Sequence, residues 1–143
     1  MIISIAADHA GYELKETLKN YLDMADIPHI DFGTDSLESV DYPVYAKKVC
    51  ASVQTGECDL GVLVCGTGIG MAIAANKHKS IRAANCCDTY SAKMARLHND
   101  ANVLTVGSRV TGPGLAVEIL KQFLATNFEG GRHVERVGMY DLL

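Results

Sequence analysis

The sequence predicts a single α/β domain, residues 1–143, in which a parallel sheet is covered by helices on both faces. Three observations carry that reading. Short β-branched runs alternate with longer segments of helical period, the pattern of consecutive βαβ units. The run from Asp59 to Cys65 is almost continuously apolar after its first residue, as a strand buried on both faces must be. Hydrophobic residues make up 48% and charged residues 21% of the 143, the composition of a folded domain and not of a disordered chain.

The elements follow in order. Strand one is Ile2 to Ala7. Leu14, Leu18, Tyr21 and Leu22 then fall at i, i+4, i+7 and i+8, while Glu13, Lys15, Glu16 and Lys19 lie mainly elsewhere, which predicts an amphipathic helix. His29 to Phe32 reads as strand two, ended by Gly33. A second helix opens at Pro43, with Tyr45, Val49 and Val53 as its apolar face. Asp59 to Cys65 is strand three, and the turn Gly66-Thr67-Gly68-Ile69-Gly70 leads into a helix through Met71 to Ala75. Ile81 to Asn85 is strand four, about Asp88 to Leu97 a helix, and Asn102 to Val106 strand five. The last long helix is opened by Thr111 and Pro113 and lined by Leu115, Ile119 and Phe123. Beyond Asn127 the pattern is less regular but holds Arg132, His133 and Arg136, so about 127–143 is read as a functional extension of the same domain.

Several function classes are disfavoured at once. A formal net charge of -4 argues against broad binding to nucleic acid or anionic membranes, so any anion site must be local. No apolar run approaches the roughly 18 residues of a membrane span. The opening residues lack a basic region and meet Asp8 and His9 too early for a signal peptide. Five cysteines, at 50, 58, 65, 86 and 87, form an odd set without paired spacing, which predicts reduced thiols and a cytoplasmic location. Cys86-Cys87 is no C-x-x-C pair and no H-x-x-x-H or H-E-x-x-H occurs, so no metal is expected. A G-x-S-x-G elbow is absent, no Lys-Ser or Lys-Thr follows the glycines, and the third glycine comes one place too early for G-x-G-x-x-G.

In an open parallel sheet, ligands bind beyond the carboxyl ends of the strands. Asp8-His9 follows strand one, the glycine turn follows strand three, and His98-Asn99 precedes strand five; these loops are expected to share one crevice. Gly66, Gly68 and Gly70 let the backbone approach a ligand and turn successive N–H groups toward an oxyanion, although such a turn can also be a plain tight connection. Cys65 at its rim, beside a helix N-terminus, suits a thiolate able to take a proton; the plain alternative is an inert core thiol. Asp8 could equally cap a helix, and His9, His98 and Tyr42 could be structural. Arg132 and Arg136, four apart, could grip one phosphate or simply be solvated. Asp88 stands where a ribose contact is possible, which keeps a nucleotide-binding alternative open.

Taken together, Asp8-His9-Ala10-Gly11, Asp41-Tyr42-Pro43, Cys65 through Met71, His98-Asn99 and Gly130-Gly131-Arg132-His133 resemble the type B ribose-5-phosphate isomerases over essentially the whole length. The galactose-6-phosphate isomerase subunits and allose-6-phosphate isomerases share much of the pattern, so the resemblance implies reaction type more narrowly than sugar. It implies a Rossmann-like three-layer αβα sandwich with a five-stranded parallel sheet. It also implies a homodimer, or a dimer of dimers, whose sites draw on both chains, with the extension serving the dimer and the phosphate site. The implied reaction interconverts ribose 5-phosphate and ribulose 5-phosphate through an enediolate, in the non-oxidative pentose phosphate pathway, without a cofactor. By the same resemblance Cys65 is the base, Asp8 and Tyr42 contact sugar hydroxyls, His98 assists ring opening and Thr67 moves protons between oxygens. His9, Arg109, Arg132 and Arg136 hold the phosphate, and Asn99 joins Gly66, Gly68, Ile69 and Gly70 around the oxyanion. The competing readings are the same reaction on allose 6-phosphate or galactose 6-phosphate, and a non-catalytic nucleotide- or phosphate-binding module.

Overall fold

Five strands pair in parallel: β1 (Ile3–Ala7), β2 (His29–Asp31), β3 (Leu60–Cys65), β4 (Ala83–Asn85) and β5 (Val103–Gly107), in the order β2-β1-β3-β5-β4. The computed structural model describes residues 1–143. The helices are α1 (Tyr12–Met24), α2 (Tyr42–Gln54), α3 (Ile69–Ala75), α4 (Thr89–Asn99), α5 (Pro113–Ala125) and α6 (His133–Gly138), with a 3-10 turn at Tyr140–Leu142. The strand order reverses between β1 and β3, the switch point at which open α/β sheets present a crevice.

Side chains alternate across the sheet. Ile3, Ile5, Val62, Val64, Leu104 and Val106 pack under α1, α4 and α5, against Leu18, Ala92, Ile119 and Phe123. Ala6, Leu63, Cys65 and Val103 face the other way, onto Ala46, Val49, Cys50 and Met71 of α2 and α3. The three layers expected of the fold are therefore present. No helix is long and apolar enough to cross a membrane.

Three local readings need correction. Lys15 belongs to no solvated face: it is 1% exposed, and its ammonium donates to both Asp31 oxygens at 2.8 and 2.7 Å and to the Thr34 carbonyl at 2.7 Å. Burial works against the Asp31 carboxylate, but hydrogen bonds from Lys15, Lys19 and the Gly33 N–H hold it below its usual range, and the pair pins the short β2 to α1. Leu115 is 44% exposed; Ala116 and Leu120 fill the inner face of α5 instead, beside Ile119 and Phe123. Thr111 does not cap α5, because Gly112 occupies that position and the Thr111 hydroxyl is buried without a partner.

Candidate active site

A crevice of about 280 Å³ opens at the carboxyl ends of β1 and β3, lined by Asp8, His9, Tyr42, Cys65, Gly66, Thr67, Gly70 and Arg109 among others. Asp8 continues β1, its N–H donating to the Val64 carbonyl at 3.1 Å. Its carboxylate accepts the Gly11 N–H at 3.0 Å, so it closes the turn before α1 and is not the helix's N-cap, which is Gly11. Asp8 is 7% exposed and Cys65 5% exposed, both at the floor. The Val40 N–H donates to His9 Nδ1 at 3.2 Å, which places the proton of the neutral ring on Nε2.

Sulfur and glycine turn form one unit. The Gly68 N–H donates to Cys65 Sγ at 3.2 Å and the Ile69 N–H to Thr67 Oγ1 at 3.3 Å. The N–H groups of Gly66, Thr67, Gly70 and Met71 find no acceptor within the chain and supply the donors a cradle needs, as the first turn of a helix does. One of the glycines is obligatory and another is closely fitted. Gly68 sits at φ +78°, where a side chain would also run into Asn85, and a Cβ on Gly70 would lie 2.9 Å from the Tyr42 ring. Asn85, which sequence reasoning passed over, braces the turn from below, accepting from Thr105 Oγ1 at 3.1 Å and donating to the Thr67 carbonyl at 3.4 Å. Arg109 joins the crevice because its N–H donates to the Gly66 carbonyl at 3.0 Å.

The other thiols are poor candidates for a base. Burial pushes Cys50 and Cys86 up to about 11, Asp88 and Cys87 adding to the effect on Cys86, and burial also raises Cys58. Cys87 is the exposed thiol, whereas Cys65 reaches solvent only through the crevice. All five are free. Asp88 is the N-cap of α4, its carboxylate accepting from the N–H and hydroxyl of Ser91, both at 2.7 Å, a structural role that accounts for the residue without the ribose contact considered for it.

One expectation fails within a single chain. His98 and Asn99 end α4, and a helix that follows a strand runs back toward the amino edge of the sheet. Strand register makes the separation explicit: Val103 pairs with Gly61, and Cys65 with Gly107. His98 and Asn99 precede Val103, so they lie more than about 13 Å from Cys65, four strand residues away at about 3.3 Å each. The extension joins them there. The Glu129 N–H donates to the Leu97 carbonyl at 2.9 Å, the His98 and His133 rings stack with centroids 4.4 Å apart, and Asn99 donates to the Tyr140 hydroxyl at 2.8 Å. Arg132, the N-cap of α6, and Arg136 are exposed on the same extension. The predicted residues thus form two sets at opposite edges of the sheet. Glu129, His133 and Tyr140, absent from the sequence-level site, belong to the second.

His98, Glu129 and His133 have donor atoms within 4.8 Å of one another, close enough for a cation to be considered. The rings, however, are stacked at 15°, and a metal must lie near the plane of each imidazole it binds; two nearly parallel planes offer no common point.

The profile of the Ribose/Galactose Isomerase family matches residues 3–140. The chain is 48% identical over 135 residues to a protein of Escherichia coli (strain K12) named ribose-5-phosphate isomerase B, covering 94% of this chain and 91% of that one. Among solved structures, ribose-5-phosphate isomerase B of Clostridium thermocellum superposes with a TM-score of 0.98 at 49% identity, covering 99% of this chain and 96% of the other. A ribose 5-phosphate isomerase of Thermotoga maritima gives 0.98 at 51% identity, covering 99% and 98%.

Proposed function

The chain belongs to the Ribose/Galactose Isomerase family, and from that premise we propose that it interconverts ribose 5-phosphate and ribulose 5-phosphate as an aldose–ketose isomerase, a step of the non-oxidative pentose phosphate pathway. The observation that carries the reading is the Cys65 sulfur, tethered by the Gly68 N–H beside backbone donors with no acceptor of their own. Cys65 removes the C2 proton of the open-chain aldose, and the electron pair moves through the C1–C2 bond onto the carbonyl oxygen. The enediolate charge meets the N–H groups of the turn, where fixed donors lower its energy most. Cys65 returns the proton to C1 while Thr67 passes the hydroxyl proton from O2 to O1, giving the ketose. Substrate atoms and electrons balance, so no external oxidant enters. Asp8 and Tyr42 contact sugar hydroxyls, and His9 and Arg109 approach the phosphate end.

His98, Asn99, Arg132 and Arg136 complete a site only if they come from a second copy, and their placement at the opposite edge of the sheet supports that reading. A two-fold dimer brings the carboxyl edge of one sheet to the amino edge of its partner twice, making two equivalent sites. Five free thiols fit a reducing compartment, the cytoplasm. Incubation of the purified protein with ribose 5-phosphate in deuterated water tests the function. Ribulose 5-phosphate should form and recovered ribose 5-phosphate should carry deuterium at C2, whereas a binding module does neither. Higher kcat/KM for allose 6-phosphate or galactose 6-phosphate would reassign the sugar.

A further inference from the structure

We propose that His133 is a positioning residue for His98, holding that imidazole by stacking on its face. The inference rests on the isomerase reading, in which His98 assists ring opening, and it gives a role to a side chain that reading leaves unused. The rings lie 4.4 Å apart at 15°, a face-to-face contact. His133 is 6% exposed and its Nε2 is buried without a hydrogen-bond partner. A buried polar atom left unpaired is costly, so the residue earns its place by something other than a hydrogen bond. Glu129 Oε2 is 3.5 Å from His133 Nε2 and 3.8 Å from His98 Nε2, charge-pairing distances too long for hydrogen bonds. What His133 offers His98 is its flat face.

The surroundings keep that face neutral. Burial first, then His98 and Arg132, hold the His133 imidazole below the ordinary histidine range; Arg136 adds to this and Glu129 opposes it. A charge on the face that touches His98 is thereby avoided at neutral pH. The backbone supplies rigidity: the His133 N–H donates to the Gly130 carbonyl at 3.1 Å, and Glu129 is tied to Leu97, next to His98. One short segment therefore carries Arg132 and Arg136 for the phosphate and the ring that orients His98.

Two variants of similar buried volume separate face from bulk. His133→Phe keeps an aromatic face and loses the two ring nitrogens, of which the buried Nε2 has no hydrogen-bond partner; His133→Leu keeps apolar volume and loses the face. With ribose 5-phosphate as substrate, His133→Phe should retain kcat within about twofold, and His133→Leu should lose about fivefold to tenfold, with KM within about twofold in both. The His98 ring-proton resonances should stay shifted upfield by the neighbouring ring in wild type and His133→Phe, and should move downfield in His133→Leu. Equal kcat for the two variants, or a Phe variant more than fivefold slower than wild type, overturns the stacking role; the Phe limit decides alone if the Leu variant does not fold. A wild-type protein without turnover on ribose 5-phosphate refutes the isomerase reading itself, while the resonance shifts still report on the stack.

Discussion

The two edges of the sheet carry the same kinds of residue and hold them differently. At the carboxyl edge, Asp8, Cys65 and the glycine turn are set by strand ends: each stands within a few residues of β1 or β3, and main-chain N–H groups engage the carboxylate and the sulfur directly. At the amino edge, His98 and Asn99 stand in the last turn of α4 and take their partners from the extension, His133 by stacking and Tyr140 by its hydroxyl. The first set is built by local folding around the sheet. The second depends on residues 35 and 41 positions later docking correctly, and so is the easier to disturb without unfolding the domain.

The sharpest break between the edges is Cys65→Ser. A hydroxyl is far too weakly acidic to replace a thiolate base, so kcat should fall by about 10³-fold while KM stays within a few-fold, because the turn and Arg109 remain. Steady-state kinetics on ribose 5-phosphate check this, and near-normal kcat would remove Cys65 from the base role.

Mixing variants tests whether the edges meet across chains. Cys65→Ser and Arg132→Ala should each be inactive alone. Refolded together in equal amounts, about half the dimers are hybrids, and each hybrid holds one undamaged site, so activity should return to about one quarter of wild type. Native mass spectrometry must first detect the hybrids. If they form and activity stays at the level of the parents, both residues serve a site within one chain.

Smaller effects separate catalysis from support. Tyr140→Phe leaves the Asn99 amide without its 2.8 Å acceptor and should lower kcat/KM a few-fold with no change in melting temperature. An unchanged kcat/KM would show that Asn99 needs no such anchor. Last comes a pH effect. Because His133 is held below the ordinary value near 6.5, the unfolded chain binds a proton that the folded chain refuses as pH drops below that value. Its contribution to stability is thus full above about pH 6.5 and is lost as pH falls through the lowered value. Urea midpoints between pH 7 and pH 5 should fall less for His133→Phe than for wild type; parallel slopes would assign the acid sensitivity elsewhere.

Much of this was legible without coordinates because periodicity and chain chemistry are local. The apolar run ending at Cys65 reads as a central strand, and the glycines after it as a tight turn at that strand's carboxyl end. Asp88 announced its helix, and Pro43 and Pro113 stand in the first turns of theirs. The placement of His98 is legible too, since a residue between a helix and the next strand belongs at the amino edge. By contrast, the burial of Lys15 depends on Asp31 and Thr34 arriving from β2 and its following loop, and no pattern within α1 signals them. The same holds for Asn85 beneath the turn and for His133 against His98, 35 positions away. The sequence by itself determined the alternation of elements, the layers they form and the place of the glycine turn after Cys65, because each follows from residues that are neighbours along the chain. Only the tertiary structure decided which polar residues share an edge of the sheet, because that depends on where distant helices end and on which side chains are buried together when they do.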